Sequence, residues 1–326
     1  MAHLHSHDHD EAHDHDHGRA GHHHFPDAAD AARMRPEQRA KERRSLLLTF
    51  AITTAIMVLE AVGGFVSGSL SLKADAGHML TDSSSLLLAV LALSFASRPA
   101  DLRRTYGFYR LEILAALANG VTLLFLSGWI VFEAIERFSD PHPVEAKTMA
   151  LVAAVGLVAN AAGLFLLHRK GGSLNLRGAY LHVLGDTLSS VGVIVAAGVI
   201  LLTGWTLVDP LLSIAIACVI VWSAWSLVRD AIDVLLEAVP AHLDLADVLH
   251  SMEQAPGVAR VHDLHIWTIS SGMHSLSAHV VVESCDMGRN EEILGSLRAM
   301  LAEKYALDHI TLQIETPAYC EGLDMH

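Results

Sequence analysis

Two stretches put ionisable side chains where an apolar chain least tolerates them: His78-Met79-Leu80-Thr81-Asp82 and His182-Val183-Leu184-Gly185-Asp186. Each reads H-x-x-x-D, and each lies inside a long apolar segment. Residues four apart share one face of a helix, so each segment presents an imidazole beside a carboxylate. If the two helices are neighbours, two nitrogen and two oxygen donors converge on one point. That is a full tetrahedral shell for Zn²⁺. Ionisable groups inside a membrane span are costly and by default mark an ion path or a functional site.

The surrounding composition supports a membrane setting. Of 326 residues, 52% are hydrophobic and 18% charged, against roughly a quarter charged in soluble proteins. A helix that crosses a bilayer needs about 20 mostly apolar residues. Six segments qualify: 45–67, 70–97, 110–137, 146–168, 177–203 and 208–229. The second and fifth are the least apolar and carry the two pairs, so they should face the bundle interior. Glycines at 63, 64, 156, 163, 192 and 198 should let helices approach closely. Glu60 and Asn160 lie within the first and fourth spans. They either line a path, support the site through hydrogen bonds, or serve helix packing. Asp75, three residues before His78, reads as a vestibule ligand, a proton carrier or a helix-entry residue beside Lys73.

Basic residues fall on one side. They precede the first span and recur at Arg98, Arg103, Arg104 and Arg110, at Arg169, Lys170 and Arg177, and at Arg229. The alternate loops hold only Lys73 and Lys147, with none in 204–208. The positive-inside rule then makes both termini cytoplasmic in a multi-pass protein of the cell's inner (plasma) membrane. No leader is expected, because no basic stretch runs directly into an apolar core. The net charge of −14 comes with no basic face, which excludes nucleic acid as a partner. The three cysteines are too widely spaced for a disulfide framework or a C-x-x-C site.

Three regions follow: a tail (1–43), a six-helix transmembrane domain (44–237) and a cytosolic domain (238–326). Residues 1–24 hold ten histidines, mostly alternating with aspartates. With so few apolar residues the tail should be disordered, and its histidines should bind metal loosely. The cytosolic region reads as helix 244–254, strands Val261–Ile269 and Ser277–Val282, helix 289–305 and strand Ile310–Glu315. That order makes a small α+β sandwich suited to regulation or dimerisation. Within it, His262, His279 and Glu315 form a candidate metal site, with His265, His309 and Cys320 as additions. The alternative is a strand surface with scattered histidines, since no spacing there is a zinc signature.

Histidine and aspartate without cysteine suit Zn²⁺ and tolerate Co²⁺, Ni²⁺, Fe²⁺ or Mn²⁺, while disfavouring Cu⁺. The ligands bind metal only when deprotonated, so protons entering from one side would displace it. An intramembrane metallohydrolase needs an open metal position and a general base, as in H-E-x-x-H; neither histidine here is followed by Glu. A channel needs weak sites in series, whereas one tight site suits alternating access.

Several stretches together resemble the cation diffusion facilitator family, in its zinc-transporting group. They are Ala74-Asp75-Ala76-Gly77-His78-Met79-Leu80-Thr81-Asp82, Tyr106-Gly107-Phe108-Tyr109-Arg110-Leu111-Glu112-Ile113, Leu181-His182-Val183-Leu184-Gly185-Asp186 and His262-Asp263-Leu264-His265-Ile266-Trp267. The resemblance spans nearly all of 44–316. It implies six spans, a cytosolic ferredoxin-like domain, a homodimer, and proton-coupled efflux of divalent metal, as in metal resistance. His78, Asp82, His182 and Asp186 match the family's intramembrane zinc site. A histidine at the first of these positions resembles members that prefer zinc to cadmium. The chain departs in two places: its His-rich segment is N-terminal, where many relatives carry one between spans 4 and 5. Gln313 stands where some bacterial relatives have histidine.

Overall fold

The computed structural model describes residues 36–95, 105–107, 109–168, 174–270, 272–283 and 287–315. Six long helices come first: α1 Pro36–Ser67, α2 Leu70–Phe95, α3 Arg110–Ser139, α4 Ala146–His168, α5 Leu174–Thr203 and α6 Val208–Leu235. Four of them contain stretches long and apolar enough to cross a membrane: Leu46–Ser67, Arg110–Ser139, Val183–Thr203 and Val208–Leu235. The apolar part of α4 is shorter, Ala146–Ala162. In α2 the polar residues Lys73, Asp75, His78 and Asp82 interrupt the apolar run.

That helix sits at the centre, touching α1, α3, α5 and α6. A central helix can carry polar residues because its neighbours shield them from lipid. Large apolar side chains point outward instead, among them Phe125, Phe132, Leu202 and Trp222. Between helices, Leu72 packs with Met149, Val152, Val193 and Ile200, while Leu70 and Ala74 pack with Ile130, Ala134 and Ala217.

Close approach depends on particular glycines. A Cβ on Gly63 would stand 2.7 Å from Val152 Cγ2, and one on Gly120 the same distance from Val228 Cγ2. Gly198 behaves otherwise than expected: it faces open space, so close packing does not require it.

The first helix is longer than its apolar run. It begins at Pro36, inside the stretch read as tail. Proline is favoured at the first helical position, and the Glu, Gln, Arg, Ala and Lys residues that follow are good helix formers. Residues 1–35, including the His-rich segment, lie outside the described residues.

The chain leaves α6 through Glu237, whose φ is 58°. The remainder is α7 Leu245–Glu253, β1 Val258–Ser270, β2 Met273–Val282, α8 Met287–Tyr305 and β3 His309–Glu315. The sheet order is β1-β2-β3. β1 runs antiparallel to β2, with His262 opposite His279. β2 runs parallel to β3, with His279 opposite Gln313. Both first strands extend beyond their expected ends, because Ser270 pairs with Met273 across a tight hairpin in which Gly272 has φ 69°.

Helices α7 and α8 bury Val248, Met252, Ile293, Leu297 and Leu301 against Ile266, Leu276, Val280 and Val282 of the sheet. The Asp244 carboxylate caps α7 by accepting from the Ala246 N–H at 2.8 Å. Asp244→Ala should cost this domain about 1 kcal/mol, read as a lower midpoint in urea unfolding.

Three contacts fix the domain under the start of α3. Arg110 Nη2 pairs with Glu237 Oε1 at 2.7 Å. Ser270 Oγ donates to Glu112 Oε2 at 3.0 Å. The Tyr106 and His309 rings meet edge to face at 5.8 Å.

Candidate metal centres

The first centre lies between α2 and α5. His78 and Asp82 are one turn apart on α2, and Asp186 comes from α5. One ligand atom from each lies within 4.8 Å of the others. His78 Nε2 stands 3.2 Å from Asp186 Oδ1 across the helix pair. Zinc with Zn–N and Zn–O bonds of about 2.0–2.1 Å sets neighbouring tetrahedral ligands roughly 3.3 Å apart. The separation between the helices therefore already suits a shared ion.

His182 lies one turn before Asp186 on α5, and residues four apart share a helix face. Its side chain is outside the described residues. All three described side chains are partly shielded rather than sealed.

Neighbouring hydroxyls hold the surroundings. Ser189 Oγ donates to Asp75 Oδ1 at 2.6 Å, joining α5 to α2 one turn beyond Asp186. Thr54 and Ser83 hydroxyls lie 3.1 Å apart and join α1 to α2. Asn160 Nδ2 donates to Ser190 Oγ at 3.5 Å, a long bond that links α4 to α5.

A second polar cluster was not anticipated. At the start of α2, Asp209 of α6 is fully buried. Its carboxylate accepts from the backbone N–H groups of Leu70 at 2.6 Å and Ser71 at 3.1 Å, and from the Ser69 and Ser71 hydroxyls at 2.7 and 2.6 Å. Arg137 of α3 pairs with it at 3.4 Å and also binds Glu133 at 2.5 Å. Lys73 reaches the same Glu133 at 3.3 Å. A sequence signal existed: a charge of each sign stands at the limit of an apolar segment, Arg137 at the end of the third and Asp209 at the start of the sixth.

The other candidate centre is on the sheet. His262 Nε2 lies 2.9 Å from Glu315 Oε2, and His279 Nδ1 lies 2.8 Å from Glu315 Oε1. The two rings meet at 5.2 Å. The three residues offer atoms within 4.8 Å of one another. The Glu315 side chain is 1% exposed, so its charge needs these partners. Gln313 Nε2 adds a hydrogen bond to Glu315 Oε1 at 2.8 Å. Gln313 thus orients the carboxylate.

Asp263 is a participant that sequence reasoning missed. It sits in an irregularity of β1 between His262 and His265, with φ 52°. Such bulges re-aim side chains and collect beside functional sites. Its Oδ1 meets His265 Nε2 at 2.9 Å and its Oδ2 lies 3.6 Å from His279 Nε2. The hydrogen bond from His265, then the nearby imidazoles, hold this carboxyl below the usual aspartate range.

Among the described residues, His265 meets the cluster through Asp263. His309 does not reach it: six positions before Glu315 on β3, it stands roughly 20 Å away at 3.3 Å per residue, against Tyr106. Cys320 lies outside the described residues.

Comparison with known proteins matches two family models. Residues 46–236 match the "Cation efflux transmembrane domain", and residues 240–317 match the "Cation efflux protein, cytoplasmic domain". The zinc transporter ZitB of Escherichia coli is 44% identical over 287 residues, covering 87% of this chain and 90% of that protein. The metal cation efflux system protein CzcD of Cupriavidus metallidurans is 42% identical over 282 residues, covering 86% and 89%. The cadmium, cobalt and zinc/H(+)-K(+) antiporter of Bacillus subtilis is 41% identical over 281 residues, covering 85% and 90%. A solved structure, the metal-bound C-terminal domain of the CzcD transporter, shares 42% identity. It covers 22% of this chain and 99% of its own, with a TM-score of 0.21.

Proposed function

The chain belongs to the cation efflux family and is a transporter rather than an enzyme, and from that premise we propose that it exchanges cytosolic Zn²⁺ for protons by alternating access. The convergence of His78, Asp82 and Asp186 between α2 and α5 carries this reading, with His182 as the fourth ligand. In it, the metal enters from the cytosol and binds the deprotonated ligands. Protons arriving from the other side compete for the same imidazoles and carboxylates and release it. All six long helices span the plasma membrane in this reading, with both termini cytoplasmic as the loop charges direct. The names of the relatives support Zn²⁺ as cargo, and Cd²⁺ and Co²⁺ as further cargoes. The donor set extends that to Ni²⁺ or Fe²⁺.

The direct test is zinc flux in reconstituted vesicles under an imposed pH gradient, repeated with Cd²⁺, Co²⁺ and Fe²⁺. Zinc should accumulate against its gradient when the interior is acid, with protons leaving. Flux that ignores the pH gradient counts against exchange.

The cytosolic domain acts in a homodimer, a role supported by the family model it matches. Its His262–His279–Glu315 cluster binds a regulatory or structural zinc ion. His279→Ala should remove about one zinc per chain in calorimetric titration, because a displaced ligand leaves an open shell. Transport should persist at altered zinc dependence. An unchanged zinc count would remove the cluster from the metal sites.

A further inference from the structure

Glu60 is a buried acid that the metal centre does not use. It projects from α1 and is 1% exposed. Its Oε1 lies against the backbone of α4 at Gly156, where an added methyl would collide with it, and Ser190 Oγ of α5 borders the same spot. Its Oε2 is buried and has no hydrogen-bond partner among the described residues. The nearby acids are Asp75 on α2 and Asp186 on α5. Beyond Asp75 on α2 come His78 and Asp82. α4 offers Gly156 and the Asn160 amide, and Lys73 is held by Glu133.

The placement has a pattern. One turn past Asp186, Ser189 holds the Asp75 carboxylate, and Ser190 borders Glu60. Two acids from α1 and α2 therefore form a tier next to the ligand tier. Surroundings of this kind disfavour an ionised carboxylate with an unpaired oxygen far more than the neutral acid. Glycine at 156 makes the room for it.

We propose that Glu60 carries a proton in the exchange cycle, separately from the metal ligands. This rests on the zinc–proton exchange proposed above. The carboxyl takes a proton on Oε2 from water on the non-cytosolic side. It stays neutral while sealed between α1, α4 and α5. When those helices part toward the cytosol, the O–H bond breaks and the proton passes to water there. Movement of α1 against α4 thus ties proton transfer to the conformational step.

The test uses the full-length protein in vesicles. Glu60→Gln keeps the shape of the neutral acid and removes its proton chemistry. Zinc affinity of the purified variant should stay within about threefold of the parent, because the ligands are untouched. The protons moved per zinc should fall by about one, and zinc flux should lose most of its response to the gradient. Glu60→Asp should restore part of that response.

A parental proton-to-zinc ratio in Glu60→Gln overturns the proposal, and so does a large loss of zinc affinity, which would make Glu60 a ligand. If the parent itself moves no protons with zinc, the exchange reading fails instead. Should Glu60→Gln not yield a folded dimer, dicyclohexylcarbodiimide labelling of the parent decides, since this reagent attacks protonated carboxyls in apolar surroundings. Mass spectrometry should find it on Glu60 with flux slowed; an unmodified Glu60 overturns the proposal.

Discussion

Asp82→Ala and Asp186→Ala should each abolish zinc flux in vesicles while leaving the protein folded and its oligomeric state unchanged. Each removes one oxygen donor from a cluster whose atoms lie within 4.8 Å of one another. Loss of groups that merely orient a ligand costs roughly 10- to 100-fold in affinity. Loss of a ligand itself should exceed that, to more than about 100-fold, which is no measurable flux. Folding should survive because these side chains are partly shielded rather than sealed, so the groups left behind can still be solvated. Asp186→Asn separates the contributions: the amide keeps the volume and loses the negative charge. His78, at 3.2 Å from Asp186 Oδ1, would then face a neutral neighbour. Proton-driven zinc uptake at the parental rate in either alanine variant would remove these residues from the transport site.

The placing of His78 beside Asp82 was legible because its spacing is local. H-x-x-x-D fixes the relative direction of two side chains on any helix, and the apolar surroundings fix where the helix lies. Only the adjacency of α2 and α5 had to come from the fold. Some segment limits were legible as well. The third and sixth spans are expected to begin at 110 and 208, where α3 and α6 begin. The fifth is expected to end at 203, where α5 ends.

What was not legible is long-range. The acids that converge on Ser189 and Ser190 come from α1 and α2, more than a hundred positions away in the chain. Asp263 was hidden because a regular strand alternates, while the bulge between His262 and His265 breaks that alternation. His309 was misplaced by reading proximity in sequence as proximity in space. A strand rises about 3.3 Å per residue, so six positions carry a side chain out of reach.

The largest effect on folding should come from Asp209→Ala. The Asp209 side chain is 0% exposed. It receives two backbone N–H groups and two hydroxyls at the start of α2, where the helix dipole favours a negative charge. The same carboxylate faces Arg137, whose guanidinium also binds the Gly68 carbonyl at 2.7 Å and Glu133. Alanine leaves the guanidinium and the first amides of α2 short of an acceptor. Breaking a buried pair by removing one partner costs about 3–5 kcal/mol. That is a large share of the roughly 5–15 kcal/mol that keeps a protein folded. Asp209→Ala should therefore lose the folded dimer in detergent, or unfold at a much lower temperature. Asp209→Asn keeps one acceptor oxygen and should lose less. The double variant Asp209→Ala, Arg137→Met should recover part of the loss, since no stranded charge remains. Because the network anchors the helix that presents His78 two turns later, a folded Asp209→Asn protein should still bind zinc but move it more slowly. A single Asp209→Ala variant with parental thermal stability would mean that the packing of Leu70, Ala74 and Ala217 holds the start of α2 without these bonds.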